Sequence, residues 1–159
     1  MDFKTTPSYT VEEAKRRLER YCVYQERCHE EVNTKLREMR MIPEAQIEII
    51  THLLEHDFLN EERFSQAFAR GKFRIKSWGK VRITRELKAR KITPQNIKIG
   101  LAEIDDDQYL HTFERLSQRQ CDLLKERNSY KKRKKLADYL LYRGWESDLV
   151  YARIKKLIP

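Results

Sequence analysis

His52 and His56 stand four residues apart with Glu55 between them, so that HLLEH has the H-x-x-E-H form of an inverted zinc-protease motif. Two imidazoles on one helix face could reach one metal. The same short segment supplies Leu53 and Leu54 for packing, however, and the chain offers little room for a cleft. A second cluster, CHEE at 28–31, would need its further zinc ligands assembled from scattered residues. The three cysteines, Cys22, Cys28 and Cys121, are odd in number and lack C-x-x-C spacing, which reads as buried or incidental thiols. Asp105 to Asp107 precede a new apolar stripe, where acids cap a helix and complement its dipole, and no acids with calcium-loop spacing follow. With no G-x-S-x-G motif, P-loop or Cys/His constellation elsewhere, the sequence predicts no enzyme, no cofactor and no metal.

The chemistry that does stand out is cationic. From Arg70 to Lys91 there are ten Lys/Arg and one acid, Glu86. Arg70, Lys72, Arg74 and Lys76 lead to Trp78-Gly79, after which Lys80, Arg82, Arg85 and Lys88 follow. Lys80 and Arg82 fall in the first turn of a helix, where positive charge opposes the dipole. Such a start, with free amides, would meet phosphate or carboxylate. Trp78 reads either as a cover over the seam between helices or as a stacking contact beside the cations. A second cluster, Lys131, Lys132, Arg133, Lys134 and Lys135, also has the form of a nuclear signal or a solvated helix start. It matches the first cluster at an offset of 53 residues, Lys80 falling on Arg133, which predicts one basic strip along successive units. The net charge of +9 is uneven. Residues 1–59 carry −3, residues 60–104 carry +8 and residues 105–159 carry +4. A polyanionic partner is therefore expected on the last two thirds.

These residues need elements to hold them. Charged residues make up 37% of the chain and hydrophobic ones 40%, a balance suited to thin helical architecture. Gly and Pro number four each, too few for the turns of an all-β fold. The expected fold is all-α, about nine helices in tandem three-helix repeats, elongated and curved. The first unit, 1–59, opens on a Thr10/Glu13 capping box, with stripes Val11, Ala14, Leu18, Tyr21, Cys22, then Val32, Leu36, Met39, then Ile47, Ile50, Leu53, Leu54, Phe58. The second, 60–104, starts at Asn60 and uses Phe64, Ala67, Phe68, then Ile83, Leu87, then Ile97, Leu101, Ile104. The third, 105–159, uses Leu110, Phe113, Leu116, Cys121, Leu124, then Leu136, Tyr139, Leu140, then Val150, Ile154, Leu157. Leu87, Arg90, Ile92, Ile97 and Leu101 recur 53 residues later as Leu140, Arg143, Trp145, Val150 and Ile154, an internal repeat. No apolar h-region follows MDFKTTPSYT and no run approaches membrane-spanning length, so a soluble, cytoplasmic, reduced protein is expected.

FLNEERFSQAFARGKFR followed by WGKVRITREL resembles the signature of the RecX family, bacterial regulators of the recombinase RecA. The matching positions are Leu59, Glu62, Arg63, Phe64, Ala67, Phe68 and Arg70, then Trp78, Gly79, Lys80, Ile83, Glu86 and Leu87. ERCHEEVNTKL is similar to the family segment opening the second helix, with Cys28 where serine is usual. Arg40 and Lys91 replace the glycine often found after the second helix of each unit; Gly144 keeps it. The resemblance implies tandem three-helix repeats and a non-catalytic modulator that associates with RecA filaments on single-stranded DNA; a monomer is expected. Such proteins usually restrain ATP hydrolysis and strand exchange in recombination and the SOS response. The rival expectation is a helical DNA-binding protein acting without RecA.

Overall fold

The computed structural model describes residues 7–159; residues 1–6, the start of the stretch read above as lacking an h-region, lie outside it. Among the described residues there are nine helices and no strand. They are α1 (Val11–Tyr24), α2 (His29–Glu38), α3 (Pro43–Glu55), α4 (Glu61–Lys76), α5 (Lys80–Ala89), α6 (Pro94–Leu101), α7 (Asp106–Leu123), α8 (Ser129–Tyr142) and α9 (Ser147–Leu157). Several starts have a plain local cause. Thr10 and Glu13 exchange backbone N–H bonds at 3.1 and 3.2 Å. Asn60, Thr93, Asp105 and Asn128 accept the N–H groups of Arg63, Asn96, Gln108 and Lys131. Asp105 is therefore a cap, and Asp106 and Asp107 lie in the first turn of α7, where acids are favoured.

The repeat is visible in hydrogen bonding. The second helix of each triple ends by bending back on itself: Met41 N–H donates to Leu36 O, Ile92 N–H to Leu87 O, and Trp145 N–H to Leu140 O, at 3.1, 3.1 and 3.2 Å. The residue before each donor is left-handed: Arg40 (φ 58°), Lys91 (φ 57°) and Gly144 (φ 90°). The two helices without the family glycine thus end in the same way as the one that keeps it, with a side chain where glycine would be unstrained.

Three buried faces differ from the sequence reading. In α4 the stripe Ser65, Ala69 and Phe73 joins Phe64, while Ala67 and Phe68 are half-buried. In α3 the core stripe is Ala45, Ile49 and Leu53, while Ile47 and Leu54 are exposed. In α7 it is Tyr109, Phe113, Ser117 and Cys121, with Leu110 exposed. In each case the stripe recurs every four residues and runs through a small or polar side chain, which an apolar count passes over. Helices pack within each triple, yet the buried residues form two clusters, not three. One holds α1–α3; the other is continuous across α4–α9, with Trp145 packed on Tyr109 and Phe113 at 4.6 and 5.1 Å between ring centroids. The accessible surface, 10808 Å², exceeds the roughly 8,500 Å² of a compact chain of this mass, as a row of small units requires.

Candidate functional site: a cationic surface on the second and third units

The first-turn cations of α5 are explained by a helix end, but not its own. The C-terminus of α8 abuts the N-terminus of α5. Gly79 N–H donates to Arg143 O at 2.8 Å and Val81 N–H to Gly144 O at 3.0 Å. Lys80 N–H donates to the Tyr109 hydroxyl at 2.9 Å, and that hydroxyl donates to the Glu146 carboxylate at 2.7 Å. The amides expected to be free for an anion are thus taken by the third unit. Arg82 Nη1 donates to Tyr142 O, the last carbonyl of α8, at 3.3 Å, and Arg143 Nη1 to Lys76 O, the last of α4, at 3.1 Å. A cation opposed to the dipole of α5 is well placed at the negative ends of its neighbours. Burial raises the Tyr109 phenol far above its ordinary value, so it stays a hydrogen-bond donor throughout the physiological range.

Trp78 is half-buried and packs edge-on to Phe68 at 6.5 Å between centroids. Lys72 Nζ lies 5.1 Å and Arg82 Cζ 4.1 Å from its ring centre, and Arg82 also covers Tyr142 at 4.8 Å. Trp78 thus covers the seam beside Phe68 while part of its ring stays accessible between the two cations. Arg70 is bound to Glu103 at 3.3 Å and Lys80 Nζ to Asp106 at 3.4 Å. Lys134 pairs with Asp138 at 3.4 Å and Lys135 with Glu126 at 2.9 Å.

Among the described residues, Arg74, Lys76, Arg85, Lys88, Lys131, Lys132 and Arg133 have no acid within ion-pair distance. Arg85 and Lys88 line a groove of about 420 Å³ on α5 with Lys80, Val81, Thr84 and Glu146. Arg74 shares a cleft between α4 and α7 with His111 and Arg115, two residues the sequence reading passed over because 41 positions separate Arg74 from Arg115. Lys131 to Arg133 occupy the start of α8, one helix length (~18 Å) from the junction with α5. The basic strip expected from the 53-residue offset therefore divides into a junction, where the cations serve the fold, and three groups of cations on α4, α5 and α8 without an ion-pair partner among the described residues. The arrangement can hold phosphates at several points along two units.

The histidine pair is engaged otherwise. His52 Nε2 lies 2.7 Å from Glu19 Oε1, His56 Nδ1 lies 2.9 Å from His52 O, and the two rings, tilted by 36°, lie 4.3 Å apart between centroids. All three cysteines are buried. No helix among the described residues is long and apolar enough to cross a membrane.

Residues 60–101 match the family model for the second three-helix domain of RecX, and residues 106–153 that for the third. The chain belongs to the RecX family. It is 23% identical over 137 residues to the regulatory protein RecX of Enterococcus faecalis, covering 86% of this chain and 52% of that one. It is 30% identical over 96 residues to the regulatory protein RecX of Lactobacillus johnsonii, covering 60% of this chain and 35% of that one. The chain thus spans about half or less of these two relatives. The fold matches a crystal structure of RecX from Lactobacillus salivarius with TM-score 0.78 at 21% identity, over 92% of this chain and 96% of that one. A second crystal structure, of regulatory protein RecX, matches with TM-score 0.81 at 19% identity, over 92% and 73%. Both relatives bear the name regulatory protein, and the family is not an enzyme family.

Proposed function

We propose that this RecX-family chain regulates RecA by binding the RecA–single-stranded DNA filament through the cationic surface of its second and third units. Bound there, it restrains ATP hydrolysis, filament growth and strand exchange. The observation that carries the reading is the set of unpaired cations on α4, α5 and α8, in a family of regulatory proteins. A filament groove presents DNA phosphates beside acidic side chains, and both are met by positive charge spread over two units that share a core. The rival reading, DNA binding without RecA, is favoured by the start of α8, where three adjacent cations suit bare phosphates.

The deciding experiment is RecA ATP hydrolysis on single-stranded DNA during titration with this protein, beside a titration of bare DNA. A fall in hydrolysis at concentrations too low to coat the DNA is expected. If hydrolysis falls only as the DNA saturates, competition for DNA is the better account.

A further inference from the structure

The joint between the first and second units is built unlike the one between the second and third. The helices α4–α9 share a core, whereas α1–α3 keep their own. Among the described residues, Cys28 alone of the first unit's buried side chains enters the larger core. Around that plug the contact is ionic. Arg63 Nε donates to Glu26, and Lys91 Nζ lies 3.3 Å from Glu30 Oε1. His29 Nδ1 lies 3.5 Å from Glu61 Oε1. Two buried atoms in the joint, Glu26 Oε2 and His29 Nε2, have no hydrogen-bond partner among the described residues. An interface that leaves polar atoms orphaned holds less firmly than a paired one, and exposed ion pairs weaken as salt rises.

Between the units lies a cleft of about 260 Å³, with Glu26 and Glu31 on one wall and Phe64, Phe68, Lys72 and Arg90 on the other. Lys72 Nζ sits over Phe68 and Trp78 with no acid in ion-pair reach among the described residues. Arg90 bonds Glu86 at 3.0 Å and covers Phe68 at 4.8 Å. Cations with aromatic rings face carboxylates across a gap that would admit a phosphate group.

We infer that the first unit is an acidic gate over this cleft. Glu26 and Glu30 hold it closed against Arg63 and Lys91, with Glu31 facing Arg90 across the cleft, and the phosphates of a nucleic-acid strand compete for those cations and open it. The strand then gains Lys72 and Arg90 as the first unit swings away, so binding and shape are coupled. The choice of ligand rests on the polyanion reading of the second and third units; the ionic joint does not.

The test places fluorescent labels at Glu44→Cys and Lys98→Cys, exposed positions on α3 and α6, the three native thiols being buried. Energy transfer in the full chain should fall between about 50 mM and 500 mM salt, and also when a single-stranded oligonucleotide is added at low salt. Glu30→Lys should lower it without either. The exchanged pair Glu30→Lys/Lys91→Glu, which leaves net charge unaltered, should restore it. Binding of the oligonucleotide should tighten about threefold more in Glu26→Gln/Glu31→Gln than in Glu44→Gln/Glu55→Gln, which removes equal charge away from the joint. Transfer that ignores salt, oligonucleotide and Glu30→Lys overturns the gate. Transfer that responds while both double variants bind alike overturns the cleft as a phosphate site. A chain without effect on RecA leaves both measurements intact, so failure of the broader reading is distinguishable.

Discussion

A Cβ placed on Gly79 would lie 2.3 Å from Gly144 O, and one on Gly144 would lie 2.2 Å from the Arg82 Cβ, on a backbone already at φ +90°. Neither neighbour is a flexible side-chain end, so the two segments must separate. Gly79→Ala and Gly144→Ala should each cost on the order of 3 kcal/mol in thermal or denaturant unfolding. Gly71, inside α4 with open space around it, should show the opposite sign, Gly71→Ala stabilising by about 0.5–1 kcal/mol. The thiols give a second prediction at this scale. Burial pushes Cys22 and Cys28 up from 9.0 to about 11. At pH 8 each is then thiolate to about one part in a thousand, and alkylation of the folded chain should be far slower than of the unfolded one. Between pH 9 and 11 the unfolded chain loses protons that the folded chain keeps, so stability falls as pH rises through that window. Melting curves across it should shift downward.

The elements are held at their ends. The N-terminus of α5 is capped by carbonyls of α8 and by Tyr109, whose hydroxyl bonds in turn to Glu146. Tyr109→Phe would leave Lys80 N–H without its acceptor and Glu146 without its donor, at a cost of about 1–3 kcal/mol; faster amide exchange confined to the first turn of α5 and the last of α8 would localise it. Glu146→Gln should cost less, because the amide oxygen still accepts. This junction marks the limit of what the sequence discloses. Caps and apolar stripes are local, and they place all nine helices among the described residues and the core of α2 and α5; in α8 Leu136 and Leu140 are buried with Ala137, while Tyr139 is half-buried. The junction depends on which helix end meets which, a fact spread over 64 positions from Lys80 to Gly144. Hence Lys80 and Arg82 look like an anion edge in the sequence and prove to join two units. The stripe of α7 escapes an apolar count for a related reason, since Ser117 belongs to the core only once Arg153 is seen to donate to it.

Across the whole molecule, the shared core ties together the second and third units, which carry the cations unpaired among the described residues. Charge reversal at Lys80 or Arg82 is therefore a poor test of binding, because it loosens the junction between the second and third units. The pairs Arg85/Lys88 and Lys131/Lys132 can be changed without breaking an ion pair among the described residues. If both patches meet phosphates of one filament, Arg85→Ala/Lys88→Ala and Lys131→Ala/Lys132→Ala should each weaken filament binding, and the slope of log affinity against log salt should fall by about 1 for each phosphate no longer neutralised. The combined variant should show the product of the two effects, since the patches lie about a helix length apart and share no partner. Lys134→Ala and Lys135→Ala remove charges already paired to Asp138 and Glu126 and should change affinity little. If the α8 pair alone mattered, with no contribution from α5, the contact would be confined to the third unit, and the hydrogen-bonded junction would serve stability rather than recognition.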